Sequence, residues 1–355
     1  MTIQEPLQPP AQDAHPIHQR ALVENATCVL HIGAPKTGST AIERFLVDNR
    51  ASLAACGFLY PASIERGFGH HDLALLLSGG YPDWATPQDR TLDQLIEAVL
   101  AETRLAPEPA KLVLSSENFY WLTDPIAVRS ALATLGHRAA DTLVVLYVRP
   151  QERVVESWYN QIVKAQGYSG SFEQSIIDYD TLWDYESRIA RWADAFTPEH
   201  LIIRIYPDDE QTELDVRRDF AGILGLGDSG LAYAEERPNQ RLIRDLLEFQ
   251  RTINRLPIGT IEKRRFHKQL IALSSMASTS LLEDAPLHTH ETRTWVQERY
   301  EEGNRHVAAQ YFGRDTLFAG ETQRHTSKPC QPVVLSMEKL SLILSWILMS
   351  RPSDQ

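Results

Sequence analysis

Short apolar runs along the chain alternate with longer segments in which apolar residues recur every three or four positions. The apolar runs carry almost no charge and predict buried strands at 27–32, 112–115, 143–148 and 201–206. Helical spacing follows or separates them at 41–49, 92–104, 125–135, 151–164, 185–196 and 214–224. This order predicts an α/β fold, with a mostly parallel central sheet flanked by helices on both faces.

The pattern changes after about residue 232, where the strand-like runs stop. Segments 242–256 and 292–312 predict helices, so we expect a helical C-terminal extension of the same domain. The apolar stretch 332–349 also has helical spacing, but Glu338 and Lys339 interrupt it. It is shorter than the roughly 20 residues of a membrane-spanning helix. We expect it to pack on the core or on a second copy of the chain, with peripheral membrane contact as the alternative.

Composition and charge narrow the class of protein. Residues 1–20 contain four prolines and no apolar core of signal-peptide length, which predicts a disordered tail before a single domain at 21–355. Three cysteines among 355 residues favour a reducing, cytoplasmic location. The net charge of −12 disfavours nucleic acid as a partner, although a local basic pocket can still hold a small anion.

The loop after the first predicted strand has the composition of a phosphate-binding loop. It reads Gly33-Ala34-Pro35-Lys36-Thr37-Gly38-Ser39-Thr40. Gly33, Gly38 and Thr40 match the nucleoside triphosphatase pattern G-x-x-x-x-G-K-[ST], but Ser39 stands at the lysine position. The lysine lies three residues earlier, at Lys36. Backbone N–H groups and a helix N-terminus can therefore cradle an anion here, with the cation approaching from another side.

Two other interpretations of this loop stay open. It could be a tight turn that caps the following helix through Thr37 or Ser39. It could also belong to a P-loop kinase or triphosphatase, although the displaced lysine removes the residue that binds the γ-phosphate in that class.

A second basic motif follows the third predicted strand. Arg149 ends the strand, Pro150 favours a helix start, and Arg153 and Ser157 lie one turn apart on the helix. A cation at the carboxyl end of a central strand points into the ligand crevice of such sheets. Arginine suits bidentate phosphate binding, whereas a triphosphatase usually carries an acid for magnesium here. The alternative is an arginine in a surface ion pair.

The two motifs together resemble the sulfotransferases that use 3′-phosphoadenosine 5′-phosphosulfate (PAPS), above all their soluble bacterial members. The resemblance implies a P-loop-like three-layer sandwich and PAPS as donor, with adenosine 3′,5′-bisphosphate as product and no metal. It also implies contacts to the 5′-phosphosulfate from Lys36, Thr37, Gly38, Ser39 and Thr40, and contacts to the 3′-phosphate from Arg149 and Ser157. The late G-x-x-G-x-K motif of cytosolic members is missing; Arg324, His325 and Lys328 form the nearest basic loop.

The candidate base is Glu117, which follows the second predicted strand at the ligand edge of the sheet. Sulfuryl transfer needs a group that takes the acceptor proton and a cation that stabilises the leaving phosphate. In the family that the motifs resemble, a histidine or glutamate after this strand is the usual base, and Lys36 would bind the oxygen between sulfur and phosphorus. The alternative is that Glu117 caps a helix near Asn118.

Few residues in the sequence point to a binding site for the acceptor. His70 and His71 precede Asp72, but adjacent helix positions do not face one metal, so they are candidates for the acceptor cleft or simply polar residues at a helix start. Tyr159, close to Ser157, is a further candidate.

The function predicted is sulfuryl transfer from PAPS to an acceptor hydroxyl or amine of a small molecule or glycan. A P-loop kinase or triphosphatase and a non-catalytic nucleotide-binding protein remain the alternatives.

Overall fold

A computed structural model describes residues 23–106, 110–206, 215–227, 230–234, 241–276, 281–318 and 334–350. Its centre is a five-stranded sheet in which all paired strands are parallel. The strands are β1 (Cys28–His31), β2 (Phe58–Leu59), β3 (Lys111–Ser115), β4 (Thr142–Val148) and β5 (Leu201–Ile205). Their order across the sheet is β2-β3-β1-β4-β5, so β1 lies in the middle.

The helices follow the strands in the order that the apolar spacing predicts. In the amino-terminal part they are α1 (Ser39–Asp48), α2 (Arg50–Ala55), α3 (His71–Leu77), α4 (Leu92–Leu105), α5 (Ile126–Thr134), α6 (Gln151–Ala165), α7 (Phe172–Asp178), α8 (Tyr185–Phe196) and α9 (Val216–Ile223). The short elements β2, α2 and α7 were not predicted, because so few residues carry little periodic signal. Helix α3 begins at His71, in agreement with the interpretation of His70 and His71 as residues at a helix start.

Two hydrophobic cores cover the two faces of the sheet, which gives the three layers. Alternate residues of β4 point to opposite faces, as the two-residue period of a strand requires. Leu143, Val145 and Tyr147 belong to the core beneath α1 and α9. Val144, Leu146 and Val148 belong to the larger core beneath α4, α6 and α8. The α/β fold with a parallel sheet between helical layers is therefore confirmed.

The carboxyl-terminal part is helical, as predicted. It contains α10 (Arg244–Ile253), α11 (Thr260–Lys263), α12 (His267–Met276), α13 (His290–Phe312) and α14 (Met337–Met349). Gln151 and Asn304 hydrogen bond each other's side-chain amides between α6 and α13. Ile343 and Ile347 of α14 are buried in the larger core. Within the described ranges, no helix has the length and apolar character needed to cross a membrane. The predicted tail at 1–20 lies outside them.

Candidate active site

The loop at 33–40 is held by the strands on which it stands. Beyond the end of β1, the Ala34 N–H donates to Tyr147 O at 2.9 Å, and the Tyr147 N–H donates to Gly33 O at 2.7 Å. Thr37 Oγ1 donates to Ala34 O at 2.6 Å and closes the turn. Gly38 has a φ of +81°, and a Cβ there would lie 2.9 Å from Tyr206 Cε2. Position 38 therefore requires glycine, because the backbone has a positive φ and because Tyr206 leaves no space for a Cβ.

Helix α1 begins directly after this loop with an open N-terminus. Gly38 is its N-cap residue, and no side chain caps the helix. Thr37 and Ser39 use their hydroxyls elsewhere, so the capping-turn interpretation of the loop does not describe this structure. The first N–H groups of α1 and its positive dipole end are available to an anion in the loop.

Glu117 joins the loop from the neighbouring strand β3. The Ser116 N–H donates to His31 O at 3.1 Å, which continues the β1–β3 pairing past the strand ends. Ser39 Oγ then donates a hydrogen bond of 2.6 Å to Glu117 Oε2. The cap of the short 3₁₀-helix at Glu117–Trp121 is Ser116, whose Oγ accepts from the Asn118 N–H at 3.1 Å. The side chain of Glu117 is thus directed to the loop rather than used as a cap.

Arg149 reaches the same loop from β4, on the opposite side of β1. Its Nη1 donates to Lys36 O at 3.3 Å, and its guanidinium lies 5.6 Å from the centre of the Tyr206 ring. The Tyr185 hydroxyl donates to Arg149 O at 2.7 Å and fixes the backbone after the strand. The carboxyl ends of three neighbouring strands therefore bring a glutamate, a lysine and an arginine to one place.

A cleft of about 320 Å³ opens beside Lys36 and Arg149. Six cationic side chains and two carboxylates line it, so its charge is opposite to that of the whole chain. The cations are Lys36, Arg149, Arg153, Lys164, Arg241 and Arg244, and the carboxylates are Glu156 and Asp284. Ser157, Asn160 and Gln161 add polar groups. Such a lining fits a multiply charged anion.

The two lysines of the cleft share one electrostatic environment. Burial lowers the pKa of Lys36, with Glu117 acting against this shift and Arg149 adding to it. Burial and the neighbouring charge of Lys36 lower the pKa of Lys164 to about 8. Two cations held close together in a partly desolvated cleft favour an anion between them, because its charge relieves their repulsion.

Part of the cleft comes from distant segments that the sequence did not predict. The Asn160 amide donates to Leu242 O at 2.7 Å and accepts from the Leu242 N–H at 3.1 Å, which holds residues 241–244 beside α6. Lys164 could have been found, since it lies seven residues after Ser157 on the same helix. Nothing in the local sequence marks Arg241 or Arg244, because only this tertiary contact brings them to the cleft.

Glu43 is a second carboxyl group near Glu117 that the sequence did not reveal. It lies on α1, is 2% exposed, and its Oε2 is 3.6 Å from His71 Nε2. Burial, followed by the charge of Glu117, raises the pKa of Glu43 well above its usual value. Gly69 makes room for this carboxyl group, since a Cβ there would lie 2.8 Å from Glu43 Cδ.

The adjacent histidines have different positions. His71 faces this carboxyl pair and contacts Ser116 Oγ through Nδ1 at 2.8 Å. His70 is fully buried; its Nδ1 accepts from the Ser115 N–H at 3.2 Å and its Nε2 donates to Pro61 O at 2.9 Å. Burial lowers the pKa of His70 to about 4. His71 is therefore near the candidate base, whereas His70 supports the fold as a neutral ring.

The other predicted residues also differ in position: some line the cleft and others do not. Ser157 lines the cleft with Lys36 and Arg149, and Thr40 is exposed on the first turn of α1. Tyr159 is buried, with its hydroxyl donating to Gly170 O at 3.2 Å, and does not line the cleft. Arg324, His325 and Lys328 lie outside the described residues. Among the residues that are described, no group of His, Cys, Asp and Glu side chains could hold a metal ion.

The chain is similar to known proteins over part of its length. No protein-family model matches the sequence. An uncharacterized protein of Archaeoglobus fulgidus is 28% identical over 176 residues, which are 49% of this chain and 47% of that protein. The chain thus aligns with about half of the length of this relative. A sulfotransferase from Alicyclobacillus acidocaldarius has a similar structure over 59% of this chain and 86% of its own, with 15% identity and a TM-score of 0.39.

Proposed function

We propose that the protein is a sulfotransferase that takes its sulfuryl group from PAPS and passes it to an acceptor hydroxyl. One observation carries this proposal. Lys36, Arg149 and Ser157 line a single basic cleft, while Glu117 is joined to Ser39 of the same loop at 2.6 Å. The residue proposed to remove the proton is thus held by the loop that supplies Lys36 to the cleft, which supports the proposal.

The residues of the cleft fit a donor that carries phosphate at two positions. The open N-terminus of α1 and Lys36 suit the 5′-phosphosulfate, as charged or polar N–H donors around an anion. Arg149 and Ser157 suit the 3′-phosphate, with Arg149 already oriented over Tyr206 and towards the loop backbone. Bound there, the donor supplies a sulfuryl group attached to a phosphate leaving group.

The chain's own residues then perform three tasks. Glu117 accepts the proton of the acceptor hydroxyl, and the Ser39 hydroxyl holds the carboxylate in position. Lys36 places a positive charge where negative charge develops on the leaving oxygen. Arg149 and the first turn of α1 hold the donor in line with the acceptor, which lowers the entropic part of the barrier.

The geometry disfavours a magnesium-dependent kinase or triphosphatase. Ser39 stands at the position of the γ-phosphate lysine in that class, and its hydroxyl is engaged by Glu117. At the end of β4, where an acid for magnesium is usual in that class, the chain has Arg149.

Calorimetric titration with adenosine 3′,5′-bisphosphate in the absence of magnesium tests the proposal. We expect tight binding that Arg149→Ala weakens by about 1.5–3 kcal/mol, the contribution of a hydrogen bond to a charged group. Arg191→Ala, a change at an exposed arginine of α8, is the matched control and should bind as wild type does. Binding of ATP with magnesium, without binding of the bisphosphate, would favour the kinase class instead. A protein that binds the bisphosphate but transfers sulfate to no acceptor would be a non-catalytic binding protein. In that case replacement of Glu117 should leave its only activity, nucleotide binding, unchanged.

A further inference from the structure

Residues 255–268 form a basic and partly apolar surface segment that the proposed reaction does not use. The segment has five cationic side chains and one carboxylate, that of Glu262, in a chain with a net charge of −12. The cations are Arg255, Lys263, Arg264, Arg265 and Lys268. Within the described part of the chain, none of them forms an ion pair. The segment is therefore a second positive region, besides the cleft, on a protein of net negative charge.

Exposed aliphatic side chains lie among these cations. Leu256 is 50% exposed, Ile258 is 42% exposed and Ile261 is 65% exposed. A single exposed aliphatic residue is ordinary on a protein surface. Three of them within six residues, flanked by arginines and lysines, have the composition of an element that enters the interface of a membrane.

Helix α14 packs next to this segment and carries exposed leucines of its own. Trp346 Nε1 donates a hydrogen bond of 3.0 Å to Gln269 O, which places α14 against the start of α12. Ile343 and Ile347 are buried there, whereas Leu344 and Leu348 are 49% and 83% exposed. These two leucines are four residues apart and share one face of the helix, on the side away from Trp346.

The segment also borders the basic cleft. Thr260 packs against the backbone at Gly167, just beyond the end of α6, since a Cβ on Gly167 would lie 3.4 Å from Thr260 Cγ2. Burial, together with the charge of Lys164, lowers the pKa of His267 at the start of α12. His267 is thus next to a lysine that lines the cleft.

We propose that residues 255–268 dock the protein on an anionic lipid bilayer. The aliphatic side chains enter the head-group region, and the cations contact the lipid phosphates. A second copy of the chain is the weaker candidate, because a two-fold interface would bring this positive segment against itself. The proposal does not depend on the reaction that the cleft performs.

Co-sedimentation of the full-length protein with vesicles tests the proposal. We expect binding to vesicles of phosphatidylcholine with phosphatidylglycerol, little binding to phosphatidylcholine alone, and release at high salt. The double variant Arg265→Gln/Lys268→Gln should weaken the partition coefficient by roughly tenfold or more. Ile258→Ser/Ile261→Ser should also weaken it, through loss of buried apolar surface.

Matched controls separate this surface from overall charge and hydrophobicity. Arg191→Gln/Arg305→Gln removes the same charge from exposed positions on α8 and α13, and Leu105→Ser/Ile177→Ser removes exposed aliphatic groups elsewhere. Both should bind anionic vesicles as wild type does. No binding by wild type, equal binding to both vesicle types, or equal loss in the controls would overturn the proposal. So would a dimer that Ile258→Ser/Ile261→Ser dissociates while vesicles are not bound.

Titration with adenosine 3′,5′-bisphosphate should be unchanged in all of these variants. Failure of vesicle binding and failure of donor binding therefore remain distinguishable.

Discussion

Ser39 and Glu117 face each other across the junction of β1 and β3, with the serine hydroxyl donating a hydrogen bond of 2.6 Å to Glu117 Oε2. Triphosphatase loops have a lysine at the position of Ser39. Here the residue at this position holds a carboxylate, and the cation comes from Lys36. The loop keeps the shape of an anion-binding loop, and under the proposed function the carboxylate beside it takes up the acceptor proton.

Replacement of Glu117 by glutamine should separate catalysis from binding. We expect transfer to fall by about 10²–10⁴-fold, the usual contribution of a general base, while bisphosphate affinity stays within a few-fold. The rate is measured with radiolabelled donor and an acceptor found by screening glycans and small hydroxyl compounds. Ser39→Ala should give a smaller loss, since it removes only the orientation of the carboxylate. Near-normal transfer by Glu117→Gln with intact binding would remove Glu117 from the mechanism.

Donor-site affinity should depend on the protonation of Lys164, whose pKa is about 8. Lys164 is a cation below this pH and attracts the anion, so bisphosphate affinity should fall as the pH rises through 8, by up to tenfold per pH unit. Calorimetry at a series of pH values between about 7 and 9 measures the slope. Lys164→Met should bind more weakly at pH 7 and lose most of this slope. A wild-type slope that persists in Lys164→Met would assign the titration to another group.

Gly38→Ala should destabilise the conformation of the loop at 33–40. The left-handed φ of +81° alone costs roughly 1–2 kcal/mol for an L-residue, and the new Cβ must displace Tyr206 and Val216. We therefore expect a lower Tm and weaker bisphosphate binding. Gly222→Ala is the matched control, because that glycine lies in α9 with open space around its Cβ position. It should raise stability by about 0.5–1 kcal/mol, and equal destabilisation by both changes would contradict the argument.

Glu43→Gln should stabilise the protein at neutral and alkaline pH. Burial and the charge of Glu117 raise the pKa of Glu43, so the folded chain holds this proton more tightly than the unfolded chain does. Stability from this group is complete below the ordinary glutamate pKa of about 4.3 and is lost as the pH rises towards the raised value. Glutamine cannot ionise and avoids this loss.

The Tm difference between Glu43→Gln and wild type should therefore grow as the pH rises above the ordinary glutamate pKa of about 4.3. Glu97→Gln, at an exposed position of α4, should show no such trend. A difference that is constant with pH would mean that Glu43 is already ionised in the folded protein.

The amino-acid sequence by itself determined the elements that carry the site and their order. Uncharged runs such as 143–148 can only be buried strands or helices, and their short length between helical segments favours strands. In a parallel sheet the carboxyl ends of the strands share one edge, so residues directly after strands, such as Glu117 and Arg149, could be assigned to one crevice. Local sequence was sufficient here because each residue's place follows from its own strand.

Only the tertiary structure decided which side chains line the basic cleft or surround Glu117 and which serve the fold. His70 and His71 are neighbours in sequence, yet one is buried against backbone groups and the other faces the carboxyl pair. Glu43 meets Glu117 only because α1 packs on the loop at Gly69, which has no side chain to exclude it. Arg241 and Arg244 reach the cleft through the contact of Asn160 with Leu242. Such contacts join residues far apart in the chain, and no local pattern of apolar and polar positions encodes them.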